Sequence, residues 1–468
     1  MILKPIAIGL TSALLAGCSM VPDYAEPTTA TPERFQYAAA DAAAVWPDAD
    51  WWQGFGSAEL SGLIGQAQRS SPDLQAGIAR IEQAEAQSRS AASFLYPSLS
   101  AGGTRTRSTT NPGGQGTIVN TSYRGDVQAA YEVDLFGRNR ADAAAGRTRL
   151  EATQYDYEAL ALTLNAEIAA TYFQLLALRD RVRLTEQQLG NAEGVLNLLL
   201  QQERIGVLSD LELAQQRNAI ASQRASLQGT RQAERETLNA LAVLVGRLPQ
   251  GFGLRTQSLD ELQVPEVIAG MPSELLQRRP DIRRAEADLR AANFDVGAAR
   301  AARFPSIQLT ASAGVVSATL SNLLSPGSFL TSIVAGLTAP IFEGGRLEAQ
   351  EDVARARYRE LIANYSKSVL DAFRDTENAL SGADLYNRQY RLTVEALEQA
   401  NRAYQLAETR YRVGAVDFIT VLDAQRAVFQ ASDAVAQANL ARLSALVDLY
   451  AALGGGWNGT LRTAANTN

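Results

Sequence analysis

The chain has 468 residues, 46% hydrophobic and 20% charged, with 43 basic against 50 acidic side chains, a formal charge of −7, one cysteine and no histidine. Without imidazole there is no Ser-His-Asp or Cys-His catalysis and no histidine-ligated metal, and one thiol makes neither an internal disulfide nor a Cys-x-x-Cys site. The mild acidity and the lack of any Lys/Arg block speak against a nucleic-acid partner, and no metal or cofactor is expected.

Residues 1–17 read as a secretory signal: Lys4 gives a positive start, Ile6 to Leu14 an apolar stretch, and Leu15-Ala16-Gly17-Cys18 a small-residue end. The lone Cys18 sits at the cleavage position, in a context that looks like a bacterial lipobox. Two or three acyl chains there, at about 0.8 kcal/mol per buried methylene, would make a stable anchor. The alternative is an inert cysteine closing an ordinary signal. Ser19 stands where inner-membrane retention usually requires Asp, which points to the outer membrane. Residues 18–57 begin rich in Pro and Thr, with too few apolar residues for a core, and read as a lipidated tether. Beyond the signal no run of 18 uninterrupted apolar residues occurs, so a spanning helix is excluded and any crossing must be a closed β-barrel.

From Ala58 to Ser93 apolar residues recur at helical spacing, and Pro97 closes the segment. Strands follow at about 98–107 and 121–135. In the second, Tyr123, Val127, Tyr131 and Val133 alternate with Arg124, Asp126, Gln128 and Glu132, apolar-out and polar-in. Loop 109–116 turns the pair into a hairpin. Arg140 to Glu203 contains no proline and would span about 95 Å as one helix. A turn at Gly206 leads into a returning helix from Asp210, making a helical hairpin over residues 140–245.

Residues 247–271 read as a linker, after which the pattern repeats. Ser71-Pro72-Asp73-Leu74 matches Arg279-Pro280-Asp281-Ile282, Pro97 matches Pro305, Arg204-Ile205-Gly206 matches Arg412-Val413-Gly414, and Gly246 matches Gly454, always 208 positions apart. Two repeats are therefore predicted, residues 58–246 and 272–454, the second with strands at about 306–316 and 328–341 and a helical hairpin over 347–453. Residues 455–468 form a tail. Tyr96, Tyr131, Phe304, Phe329 and Phe342 lie near strand ends, where an aromatic girdle would sit, although taken alone they read more readily as ordinary packing residues. Four strands are too few to close a barrel, for which the known minimum is about eight, so closure requires further copies of the chain.

The order of Cys18-Ser19-Met20-Val21-Pro22-Asp23-Tyr24, Trp51-Trp52, Tyr131-Glu132-Val133-Asp134-Leu135-Phe136-Gly137-Arg138 and Tyr411-Arg412-Val413-Gly414 with Val421-Leu422-Asp423-Ala424-Gln425-Arg426 resembles the outer-membrane efflux channels of the TolC family, in the lipoprotein branch serving resistance-nodulation-division pumps. The resemblance implies a mainly α protein with a membrane β-barrel. In a homotrimer, three sets of four strands would make 12, carried on a periplasmic α-barrel of helical hairpins. The implied function is a passive duct exporting small molecules such as drugs, lipid-anchored in the Gram-negative outer membrane and partnered by a periplasmic adaptor and an inner-membrane pump. It further implies a periplasmic gate at Ile419 and Asp423, a latch at Tyr411 and Glu212, and adaptor contact at the turns Gly206-Val207 and Gly414-Ala415. Thr420 and Val416 stand where some relatives carry a second acidic ring and a latching arginine. Read without the resemblance, Asp423 is an ordinary solvated acid. The alternatives are the outer channel of a type I protein-secretion system and a structural envelope lipoprotein; an enzyme would have to rely on Glu132 and Asp134.

Overall fold

A computed structural model describes residues 19–28, 31–38, 46–111, 113, 117–206, 209–265 and 272–461. Cys18 and the signal lie outside these, as does Val207. The elements are α1 (Ala58–Ser70), α2 (Pro72–Ser93), β1 (Ser98–Thr110), β2 (Ile118–Val133), α3 (Arg138–Arg204), α4 (Asp210–Leu244), α5 (Pro272–Arg278), α6 (Pro280–Ala301), β3 (Ser306–Ser317), β4 (Phe329–Thr338), α7 (Arg346–Arg412) and α8 (Phe418–Ala452). The 208-residue offset holds at both ends of the pairs α2/α6, α3/α7 and α4/α8. Pro72 and Pro280 open their helices, where the missing N–H has no partner to lose. Gly246 and Gly454 have φ of 72° and 89°, and a Cβ on either would overlap the carbonyl oxygen of Ser70, the last residue of α1, or of Arg278, the last residue of α5. One backbone contact, made twice, explains why glycine recurs at this offset.

Helices α3 and α7 have 67 residues each, about 100 Å at 1.5 Å per residue. Part of α3 is long and apolar enough to pass for a membrane span, contrary to the expectation from uninterrupted runs. Its apolar side chains are core: Ile168, Tyr172, Phe173 and Leu176 are buried against Phe55, Leu60 and Ile64. The linker and the tether are also less free than predicted. Phe252 and Leu259 of the linker join this core, and the Arg255 and Thr256 amides donate to the Glu59 carboxylate at 2.7 and 3.2 Å. Trp51, Trp52 and Phe35 are buried, and Trp51 stacks on Tyr450 with ring centroids 4.9 Å apart. In the tail, Trp457 meets Tyr155 edge to face.

The four strands form one antiparallel sheet in the order β1-β2-β3-β4. Strand β1 runs three residues past the predicted 107, and β2 covers 118–133 instead of 121–135, ending where the Leu135 amide turns back to the Val133 carbonyl at 3.0 Å. β4 ends at Thr338 instead of 341, since Pro340 offers no N–H to extend the ladder. Beneath the sheet, Glu351 of α7 has a side chain 2% exposed and meets Arg300 at 3.2 Å, Arg303 at 2.7 Å and Arg355 at 2.5 Å. Burial raises its pKa, but Arg303 and Arg300, with Arg355, outweigh that and hold the carboxyl below its ordinary 4.5. The cluster ties α6 to α7 where the sheet meets the helices. Glu351→Gln is expected to cost about 2 kcal/mol, the scale of buried hydrogen bonds to a charge. Because the folded pKa is lowered, this contribution is present above pH 4.5 and fades as pH falls through the depressed value, so chemical denaturation should show the wild-type advantage at pH 7 and its loss in strong acid.

Candidate functional site: a lipid-facing sheet and a helical tip

Register decides which residues share a face of the sheet. Tyr131 stands opposite Leu309, itself opposite Ala335; Ala129 stands opposite Ala311, itself opposite Ile333. Directly opposed residues share a face, so the apolar rows of β2, β3 and β4 coincide. Ten residue steps from Val133 to Tyr123, at about 3.3 Å each and tilted about 40°, give a band about 25 Å tall, the height of a hydrocarbon layer facing a barrel. Ile333 is 87% and Leu337 70% exposed in the protomer. Arg105, on the same face of β1, sits 5.7 Å from the Tyr123 ring, where charge would mark the edge of the band. Of the aromatic residues predicted at the strand ends, Tyr96, Phe329 and Phe342 are well exposed, while Phe304 stacks on Phe136. The opposite face carries Ser100, Thr104, Gln128, Gln308, Thr310 and Ser312. Glu132 and Asp134 are tied to Arg138 at 2.8 Å and Arg140 at 3.3 Å.

At the far end, both helical hairpins turn on a left-handed glycine, Gly206 at φ 77° and Gly414 at φ 71°. The Ala415 amide returns to the Arg410 carbonyl at 2.9 Å, closing α7 with a Schellman-type cap. The residues before these glycines, Ile205 and Val413, are 75% and 76% exposed. Phe418, Val421 and Leu422 of α8 pack with Leu199 of α3 and Leu213 of α4 in a small buried cluster. That anchors one face of α8 and leaves Ile419, Thr420 and Asp423 on the other, Ile419 at 43% exposure. The four-residue spacing of Ile419 and Asp423 thus places both on one outward face.

Asp423 is not bare: Arg426 donates to its carboxylate at 3.2 Å. Tyr411 packs edge to face on Phe418 at 5.5 Å and donates to Gln202 Oε1 at 3.1 Å, bridging α7 to α3. Burial, followed by the Glu212 carboxylate, pushes the Tyr411 phenol up, which keeps it a donor. Glu212 accepts from the Ser209 amide at 3.1 Å and Ser209 hydroxyl at 3.3 Å, capping its own helix. Of the two residues named for the latch, Tyr411 bonds Gln202, which sequence reasoning missed, and Glu212 caps its own helix while its charge acts on Tyr411. Sequence reasoning also read Arg426, Ile205 and Val413 only as motif or repeat markers.

A sheet with one apolar face and two edges unpaired among the described residues, continued by paired helical hairpins about 100 Å long, defines a subunit of an envelope channel. The chain belongs to the outer membrane efflux protein family, whose model matches residues 63–247 and 271–455, the same 208-residue offset at both ends. It is 39% identical over 465 residues to the pyoverdine export outer membrane protein OpmQ of Pseudomonas aeruginosa, covering 98% of each chain. It is 32% identical to the cation efflux system protein CusC of Escherichia coli, covering 97% of this chain and 98% of CusC. The open-state Neisseria gonorrhoeae MtrE outer membrane channel superposes with a TM-score of 0.86 at 31% identity, covering 95% of this chain and all of that one. The protein is an outer-membrane efflux channel of the TolC type, extending into the periplasm.

Proposed function

We propose that three copies close into a 12-stranded barrel on a periplasmic α-barrel and act as a passive duct, with Ile419 and Asp423 forming the constriction at the tip. The observation that carries this is the sheet: four strands cannot close a barrel, and its outward face is apolar while both edges lack partners among the described residues. Tyr411, through Gln202, holds α7 to α3 beside the constriction. The turns at Gly206-Val207 and Gly414-Ala415, with Ile205 and Val413 exposed beside them, receive the periplasmic adaptor that couples the duct to a resistance-nodulation-division pump. Cys18 carries the lipid. The chain has no reaction of its own in this reading, since its Glu132 and Asp134 carboxylates are committed to arginines.

The duct is read as permissive toward small molecules. Relatives of matching length are named for pyoverdine export and cation efflux, which favours substrate choice by the pump and adaptor. Small-molecule efflux is favoured over protein secretion and over a structural role on the same grounds. The test is export in a deletion strain: intracellular accumulation of several dyes and drugs should rise and return to normal on complementation. Unchanged accumulation across the panel, with secretion of a protein lost instead, would overturn the reading.

A further inference from the structure

Residues 19–28 and 31–38 are seated on the second repeat. Val21 lies against Gly297 of α6, where a Cβ would come within 2.5 Å of Val21 Cγ2 and 2.7 Å of its Cα. One turn earlier on α6, Asn293 donates from Nδ2 to the Pro22 carbonyl at 2.8 Å. Glu26 accepts from the Tyr365 hydroxyl of α7 at 3.2 Å. Phe35 is 2% exposed and meets Phe373, and the Gln36 and Tyr37 amides donate to the Glu377 carboxylate at 2.7 and 3.2 Å.

These contacts have a direction. They move from 297 to 293 on α6, which ends at the sheet, and from 365 to 377 on α7, which starts from it. The segment therefore runs away from the sheet as its numbering rises, and its Ser19 end is nearest the barrel. The first repeat has no such seat. The positions 208 residues before Gly297 and Asn293 are Arg89 and Glu85, which face each other as an ion pair with Arg89 74% exposed. The two repeats share a backbone plan but differ at these surface positions.

We propose that residues 19–28, with 31–38 beyond them, act as a docking strap, and that its seat on Gly297 and Asn293, more than the lipid alone, fixes where the N-terminus meets the membrane and so promotes insertion of the sheet. The purpose rests on the lipoprotein reading of Cys18; the seat does not. Three residues from Val21 back to Cys18 reach at most about 11 Å, and Gly297 lies nine residues before the first residue of β3. Acyl chains on Cys18 would enter the leaflet at the base of the barrel, one anchor per protomer, always beside the second repeat.

The experiment compares wild type, Gly297→Leu, Asn293→Ala and Cys18→Ser in outer membranes, reading palmitate incorporation, tryptic cleavage at the exposed Arg34 and the yield of inserted trimer. Gly297→Leu should keep the palmitate label, speed cleavage by about tenfold as the strap leaves its seat, and lower inserted trimer several-fold, to the level of Cys18→Ser. Asn293→Ala, which removes the Pro22 hydrogen bond without adding bulk, should move cleavage and yield in the same direction by a smaller factor, with helix content by circular dichroism unchanged, which a general folding defect would not leave. Unchanged cleavage in Gly297→Leu, or fast cleavage with a wild-type yield, overturns the proposal. Absence of palmitate from wild type would instead refute the lipoprotein reading, and the strap would then stand or fall on the Gly297→Leu yield.

Discussion

Alanine at both Ile419 and Asp423 is expected to make cells several-fold more sensitive to a large hydrophilic antibiotic that the outer membrane normally excludes. The reason is local. α8 is held by Phe418, Val421 and Leu422 in the tip cluster, so its other face has a fixed orientation and carries these two side chains together. A narrow pore lined by an apolar ring dewets, and a charged ring adds an electrostatic barrier, so removing both widens and wets the path. Each single substitution should have a smaller effect. Asp423→Ala also frees Arg426, leaving a positive ring, and should shift selectivity toward anions before it raises leak. Phe418→Ala provides the contrast: it creates a cavity in the tip cluster and should cost about 3–5 kcal/mol of local stability, loosening both hairpin ends. Equal antibiotic sensitivity in wild type and the double variant, at equal expression, would remove Ile419 and Asp423 from the gate.

Ile333→Arg is expected to abolish insertion, whereas Ser332→Arg, its neighbour in β4, should be tolerated. Ile333 shares the apolar face with Ala311 and Ala129, near the middle of the band, while Ser332 pairs with Ser312 on the polar face. Arginine on the lipid face near the bilayer midplane costs about 2–4 kcal/mol per site, and each barrel would carry three sites. On the lumen face the same side chain remains in water and alters selectivity. Folding into lipid vesicles, followed by protease protection of the sheet, separates the two. Comparable insertion of both variants would mean that the faces have been assigned the wrong way round.

Much of this architecture is legible in the sequence because it is punctuated by residues with backbone roles. Pro72 and Pro280, Gly206 and Gly414, and Gly246 and Gly454 mark element ends whatever packs around them, and their common offset discloses the duplication. The lengths of the two long helices follow from the absence of proline and the scarcity of glycine within them. Strand β1 is harder to read: Ser98–Thr110 is mostly Ser, Thr and Gly with little alternation, and it is defined by 13 opposed pairs with β2 instead of by its own pattern. The strap was invisible for the same kind of reason. Val21 and Phe35 look like stray apolar residues in a tether until Gly297 and Phe373, more than 250 positions away, are folded against them. At the tip, helical spacing placed Ile419 and Asp423 on one face, but the partners Gln202 and Arg426 depend on how α3, α7 and α8 pack and on which rotamers that leaves. Glu212 adds a contact that the sequence reading did not name, accepting from the Ser209 amide three positions away while its charge still acts on Tyr411.

The central claim, that copies of this chain pool their four strands into one water-filled pore, is tested most directly by planar-bilayer conductance of the purified protein. Discrete conductance steps are predicted, larger for the variant carrying Ile419→Ala and Asp423→Ala than for wild type and lost in Ile333→Arg. Absence of any step from wild type and from the gate variant alike, with the protein shown to be inserted, would contradict it.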